Sequence, residues 1–229
     1  MIEMATAEWL EKIGNGAFVA GEYEDMESWL AARSDSIGSS DAAAVMGMSP
    51  YMNETDLWES KRDKSKKTVE ENEDMARGHA SEPLVLSLYK AETGDDVRWG
   101  DRIILKSCAM KFMTATLDGI GIGKSDGLPY SIEVKSIARN RDDWTDETVP
   151  SHYYLQVLHQ LAVTGFRRAI LLARFCRTEW GGDTAYERCY HFERDSLEKE
   201  IASLKKVEER FWREYVVGGA RPPARVPEI

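Results

Sequence analysis

Asp118, Glu133 and Lys135 are residues whose types and spacing could do chemistry together. Asp118 closes the apolar-rich run "FMTATLD" and precedes Gly119, while Glu133 and Lys135 stand in "GLPYSIEVKSI", residues 127–137. Strand alternation puts Ser131, Glu133 and Lys135 on one face and Tyr130, Ile132 and Val134 on the other. Between Asp118 and Glu133 runs the glycine-rich "GIGIGKSDG". A hairpin there would set the two carboxylates, 15 residues apart in sequence, side by side on adjacent strands. Two facing carboxylates repel unless a cation sits between them. Hard oxygen ligands suit Mg²⁺ or Mn²⁺, with water and substrate phosphates completing the octahedron. Lys135, one pleat beyond Glu133, carries an ammonium that could meet an attacking water or the charge developing on a phosphate. On these residues alone two plainer readings stay open: a turn aspartate before glycine, and a solvated sheet face at Glu133 and Lys135. The chain also carries its own control in Glu59-Ser60-Lys61. That copy of the pattern falls in an expected helix, where residues two apart point about 200° apart and cannot converge.

Other residues could wall such a site. Glu82 lies on a long helical stretch with Leu86 and Tyr89 at helical spacing, so its side points inward. An inward glutamate is costly unless it is paired or metal-linked; the alternative is a cap for a helix that begins at Pro83. Gln156, in "YYLQVLHQL", shares a helical face with His152, His159 and Gln160, or is part of a polar helix flank. His152 and His159 lack the i, i+4 spacing of a helical zinc pair. Upstream, Ser39 and Ser40 open a short helix whose free N–H groups suit an anion, and Arg33 could fork onto a phosphate. Asp35 and Asp41 nearby oppose an anion, and a capped helix beside an exposed arginine is the plainer reading.

The elements that must position these residues follow from periodicity and punctuation. Residues 1–32 read as short helical pieces, followed by a short helix from about Ser40 to Met46. "ETDLWESKRDK" and "VEENEDMARGHASEPLVLSLYKAETG" read as helices, and "VRWGDRIIL", "KFMTATLDGI" and "YSIEVKSI" as strands. "SHYYLQVLHQLAVTG" is a helix of about 12 residues closed by Gly165. "RRAILLARF" and "AYERCYHFE" are two more strands, before an amphipathic last helix and a loose tail from 218 to 229. The order predicts one α/β domain over 1–229 with a mixed central sheet flanked by helices.

The 229 residues suffice for a sizeable core. No apolar run approaches the roughly 20 residues a membrane helix needs, and "MIEMATAEWLEK" lacks a secretory layout. Three widely spaced cysteines fit a reducing cytoplasm. The net charge of −10 argues against a protein that coats nucleic acid non-specifically, but leaves room for a local basic groove.

Taken in order, "WLAARSDSIGSSDAAAVMGMSPY", "MARGHASEP", "ATLDGI", "IEVKS" and "YYLQVLHQLAVTG" resemble the lambda exonuclease and YqaJ viral recombinase family of PD-(D/E)xK nucleases, over about residues 29–175. The resemblance implies a restriction-endonuclease-like core and a two-metal hydrolase of DNA phosphodiesters using Mg²⁺, with Mn²⁺ able to substitute. By motif position it assigns one ion to Asp118, Glu133 and the Val134 carbonyl, and a second to Glu82. Lys135 would position or activate the attacking water, and Gln156 would orient the lysine or the scissile phosphate. Arg33, Ser40 and Thr116 match the family's pocket for a 5′-phosphate. The Asp118–Glu133 loop is longer than in lambda exonuclease. The activity implied is 5′→3′ digestion of linear double-stranded DNA, leaving 3′ overhangs for a single-strand annealing protein. It would take place in a bacterial host's cytoplasm, with a ring-shaped trimer around the DNA. The residues leave open an endonuclease or repair nuclease on the same fold, and a non-catalytic DNA-end binder. An iron–sulfur nuclease would need four cysteines.

Overall fold

The computed structural model describes residues 2–13, 16–23, 25–63, 73–100, 102–137, 143–179 and 182–223. In chain order it runs β1 (Glu3–Met4), α1 (Ala7–Ile13), β2 (Ala17–Glu22), α2 (Met26–Arg33), a 3₁₀ turn (Ser39–Asp41), α3 (Ala42–Val45), α4 (Glu54–Arg62) and α5 (Glu73–Thr93). There follow β3 (Asp96–Trp99), β4 (Ile103–Ser107), β5 (Thr114–Ala115), β6 (Gly119–Ile122), β7 (Pro129–Ile137) and α6 (Ser151–Thr164). The chain then continues through β8 (Arg168–Glu179), β9 (Gly182–Glu193), α7 (Arg194–Arg210) and a π-helical extension (Phe211–Val217). Part of the expected helix start, 69–72, and the tail residues 224–229 lie outside the described residues.

The central sheet has six strands in the order β1-β3-β6-β7-β8-β9. It is mixed, as expected: β7 pairs parallel with β8 and antiparallel with β6. The parallel pair is joined through α6, because parallel neighbours need a long crossover. Layers cover both faces of β7. Tyr130, Ile132 and Val134 pack with Val85 and Leu86 of α5. On the other face Ala169, Leu171 and Ala173 of β8 pack with Leu155 and Leu158 of α6. The polar face of β7 is therefore not wet: Ser131 and Glu133 are 0% and 1% exposed beneath α6.

Four expectations are corrected. The first 32 residues are not helical pieces alone, since they include β1 and β2. β2 alternates buried and exposed residues and pairs antiparallel with β4, so cross-strand pairing sets its form. The run "VRWGDRIIL" is not one strand but breaks at Gly100 into β3 and β4, which belong to different sheets. A Cβ at Gly100 would stand 2.3 Å from the Leu117 carbonyl oxygen, so only glycine lets the two segments approach here. "KFMTATLDGI" likewise splits into β5 of the three-stranded sheet β2-β4-β5 and β6 of the central one. Pro83 lies inside α5 rather than at a helix start, so Glu82 is not a cap. α6 is 14 residues long and ends at Gly165 in the left-handed conformation, as its sequence predicts.

Candidate active site

β6 and β7 are antiparallel, with Gly119 opposite Ile132. One step further along this register Asp118 comes opposite Glu133, at the point where the chain leaves the three-stranded sheet for the central one. Asp118 Oδ2 accepts the Val134 N–H at 2.8 Å. A residue's N–H and C=O leave a strand on the same side, so the Val134 carbonyl also looks toward Asp118. Glu133 Oε1 accepts Lys135 Nζ and Gln156 Nε2, each at 2.5 Å, and Oε2 accepts Gln160 Nε2 at 2.5 Å. The Lys135 ammonium stands 5.1 Å from the centre of the Tyr153 ring. Two turns of α6 thus clamp the glutamate of β7 from above, while Lys135 holds it along the strand.

Electrostatics mark this as a strained cluster. Burial first, then the charges of Glu133 and Glu82, push the Asp118 carboxyl well above its usual range. Burial works to discharge Lys135, but Glu133 and Asp118 outweigh it and hold the ammonium's pKa above its ordinary value. A carboxylate so destabilised by its neighbours is what a divalent cation relieves.

The residues fit a hard cation in chemical type. Among the described residues Asp118 Oδ1 has no hydrogen bond, and Gln160 Oε1 is buried without a partner. Asp118, Glu133 and the Val134 carbonyl form an all-oxygen donor set. No three His, Cys, Asp or Glu side chains among the described residues converge closely enough to hold an ion by themselves. Glu82 is near enough for its charge to be felt at Asp118. Its oxygens, however, face His79 Nδ1 at 3.3 Å and Trp99 Nε1 at 3.2 Å.

Arg33 and Ser40 are brought together as a second centre. Arg33 Nη2 donates to Ser40 Oγ at 2.8 Å, and the guanidinium lies 4.3 Å over the Trp29 ring. The Glu133 charge is felt at Arg33, which ties this centre to the first. Thr116 is half-buried between β5 and Asp118, and among the described residues no hydrogen bond joins it to Arg33 or Ser40. Thr114 makes the link to this segment instead, through Ser36 Oγ at 2.7 Å. The short helix after Ser40 is a 3₁₀ turn followed by one α turn.

One residue escaped sequence reasoning as part of the site, and another expected on the same helical face turns away from it. Gln160 is 0% exposed and bonds Glu133, and its spacing of four from Gln156 was the available signal. His159, on the same helix, turns to Glu208 at 2.8 Å and to the Thr114 carbonyl at 2.9 Å. It fastens α6 to α7 and to β5.

Known proteins share this arrangement of elements. The fold is similar to that of LHK-Exo, an alkaline exonuclease from Laribacter hongkongensis, with a TM-score of 0.54 at 21% identity, over 85% of this chain and 100% of that one. The LHK-Exo structure in complex with dAMP gives 0.52 at 23% identity, with the same coverage. The uncharacterized protein YqaJ of Bacillus subtilis (strain 168) is 29% identical over 199 residues, 86% of this chain. The chain spans 58% of that relative's length. Residues 28–167, which hold every side chain of both centres, match the YqaJ-like viral recombinase domain, and the chain belongs to that family.

Proposed function

We propose that this chain is a metal-dependent deoxyribonuclease that digests linear double-stranded DNA 5′→3′ and leaves 3′ overhangs for recombination by single-strand annealing. The observation that carries this reading is Asp118 opposite Glu133, with Lys135 in contact with Glu133 at 2.5 Å. The exonuclease activity of LHK-Exo supports it by likeness of fold.

Two magnesium ions, or manganese in their place, would supply Lewis-acid chemistry for the phosphate and lower the pKa of a bound water. Asp118, Glu133 and the Val134 carbonyl would hold the first, and Glu82, whose oxygens face His79 and Trp99 here, would serve the second. Lys135, kept charged by Glu133 and Asp118, orients the attacking water and steadies charge growing on the phosphate. Gln156 and Gln160 fix the Glu133 carboxylate, so its oxygens need no reorganisation as the reaction proceeds. Arg33 and Ser40, with Thr116 added on the family resemblance alone, receive the 5′-phosphate, which makes the substrate a DNA end rather than an internal bond.

The partners proposed on family resemblance are duplex ends, a single-strand annealing protein and two further copies of the chain in a ring, in a bacterial host's cytoplasm. No helix among the described residues is long and apolar enough to cross a membrane. The test compares linear and closed circular duplex with and without Mg²⁺. Shortening of the linear form alone, only with the metal, is expected; cutting of the closed circle would overturn the exonuclease reading.

A further inference from the structure

Asp41 is the charge most awkwardly placed for an anion pocket at Arg33. A Cβ at Gly38 would lie 3.1 Å from Arg33 Nη2 and 3.6 Å from Asp41 Oδ2, so the opposed groups flank this glycine. They do not close on one another. Arg33 bonds Ser40 and stacks on Trp29. Asp41 Oδ2 instead takes Lys61 Nζ at 2.7 Å and the Gly38 N–H at 2.9 Å. The Lys61 side chain is 5% exposed, and burial of an ammonium is costly without a partner. Leu57, one turn earlier on α4, is 1% exposed and packs against Ile37, Ala44 and Val45, which brings Lys61 to this segment.

We propose that Lys61 is a positioning residue for the 5′-phosphate pocket: by occupying Asp41 it leaves Arg33 turned toward Ser40 and open to an anion. This inference rests on the reading of Arg33 given above. Arg33 has five N–H donors and spends one on Ser40, so a fork remains for phosphate. With Lys61 in place, Asp41 is answered by a cation other than Arg33. Without it, the half-buried Asp41 has a single cation within reach, one glycine away. Carboxylate and guanidinium match bidentately, so Arg33 closes on Asp41 and the fork is consumed. Lysine 61 belongs to the Glu-x-Lys copy on α4, whose geometry bars it from the metal cluster; its chemistry is that of a counter-ion.

The experiment measures binding of labelled DNA duplexes with a 5′-phosphate or a 5′-hydroxyl, with Ca²⁺ replacing Mg²⁺, and digestion of the 5′-hydroxyl duplex with Mg²⁺. Lys61→Met should cut the phosphate preference by roughly tenfold, the size of one charged hydrogen-bond contact, and leave digestion of 5′-hydroxyl ends unchanged. Lys61→Arg should keep the preference. Lys61→Met with Asp41→Asn should restore it, because the competing carboxylate is gone; thermal unfolding confirms that each variant is folded. An unchanged preference in Lys61→Met, or no recovery in the folded double variant, overturns this inference alone. A wild-type protein that digests DNA without any phosphate preference overturns it together with the Arg33 reading.

Discussion

His159 is fully buried, with Nδ1 2.8 Å from Glu208 Oε1 and Nε2 2.9 Å from the Thr114 carbonyl oxygen. A ring that donates from both nitrogens, to the carboxylate and to the carbonyl, is an imidazolium. Burial works to lower its pKa, but the Glu208 charge and these hydrogen bonds outweigh that and raise it above 6.5. His159→Leu removes the cation and strands Glu208, itself 0% exposed and with Oε2 already unpartnered among the described residues. Breaking a buried pair by deleting one member costs about 3–5 kcal/mol. At about 2–4 °C per kcal/mol for a chain of this size, Tm should fall by roughly 6–20 °C. His159→Leu with Glu208→Leu should regain most of that loss, because no charge is left buried. The pH dependence has a definite sign. With the folded pKa raised, the stabilisation is full below the ordinary histidine value and is lost as pH rises through the folded one. Wild-type stability should thus decline on the alkaline side more steeply than that of the double variant. Thermal unfolding followed by circular dichroism across pH reads all of this. A loss under 1 kcal/mol in His159→Leu, or equal pH slopes in wild type and double variant, would refute the imidazolium assignment.

Removal of metal should expose the strain in the acidic cluster. In chelator, Asp118→Asn should raise Tm, since it removes a carboxylate that burial, Glu133 and Glu82 disfavour, and a drop of several degrees would count against that strain. Gln160→Leu leaves the buried Glu133 Oε2 without its donor and should cost about 1.5–3 kcal/mol of stability in chelator, measured by urea unfolding. Lys135→Ala should lower kcat on linear duplex by about 10²–10³, as expected for loss of an electrostatic contact to the transition state, and full activity would remove it from the chemistry. Gly100→Ala drives a methyl into the Leu117 carbonyl and displaces the Gly100 N–H from the Asp118 carbonyl at 3.0 Å. Activity and Tm should fall together, and an unchanged Tm would show that the turn has slack.

The centre of the site was legible because its geometry is local. Strand alternation in 129–137 and a glycine-rich hairpin suffice to set Asp118 against Glu133, with no knowledge of the rest of the chain. What escaped depends on contacts between distant segments. Gln160 joins the site only because α6 lies over β7, and alternation alone cannot say that the polar face of β7 is covered. The breaks at Gly100 and before Asp118 arise because two sheets compete for continuous apolar runs, which periodicity reads as single strands. Pro83 looked like a helix start because proline favours that position, yet tertiary packing of Val85 and Leu86 carries α5 through it. Lys61 looked idle because its helix cannot bring Glu59 and Lys61 together; its partner Asp41 stands 20 residues upstream.

The central claim is that Asp118 and Glu133 hold a divalent cation used in hydrolysis of DNA ends. Calorimetric titration of Mn²⁺ into wild type and into Asp118→Asn, each also assayed for Mg²⁺-dependent shortening of linear duplex, tests it directly. The account predicts that wild type binds the ion and shortens the duplex, and that the folded variant does neither. Equal Mn²⁺ binding by both proteins, or digestion by Asp118→Asn at the wild-type rate, would contradict it.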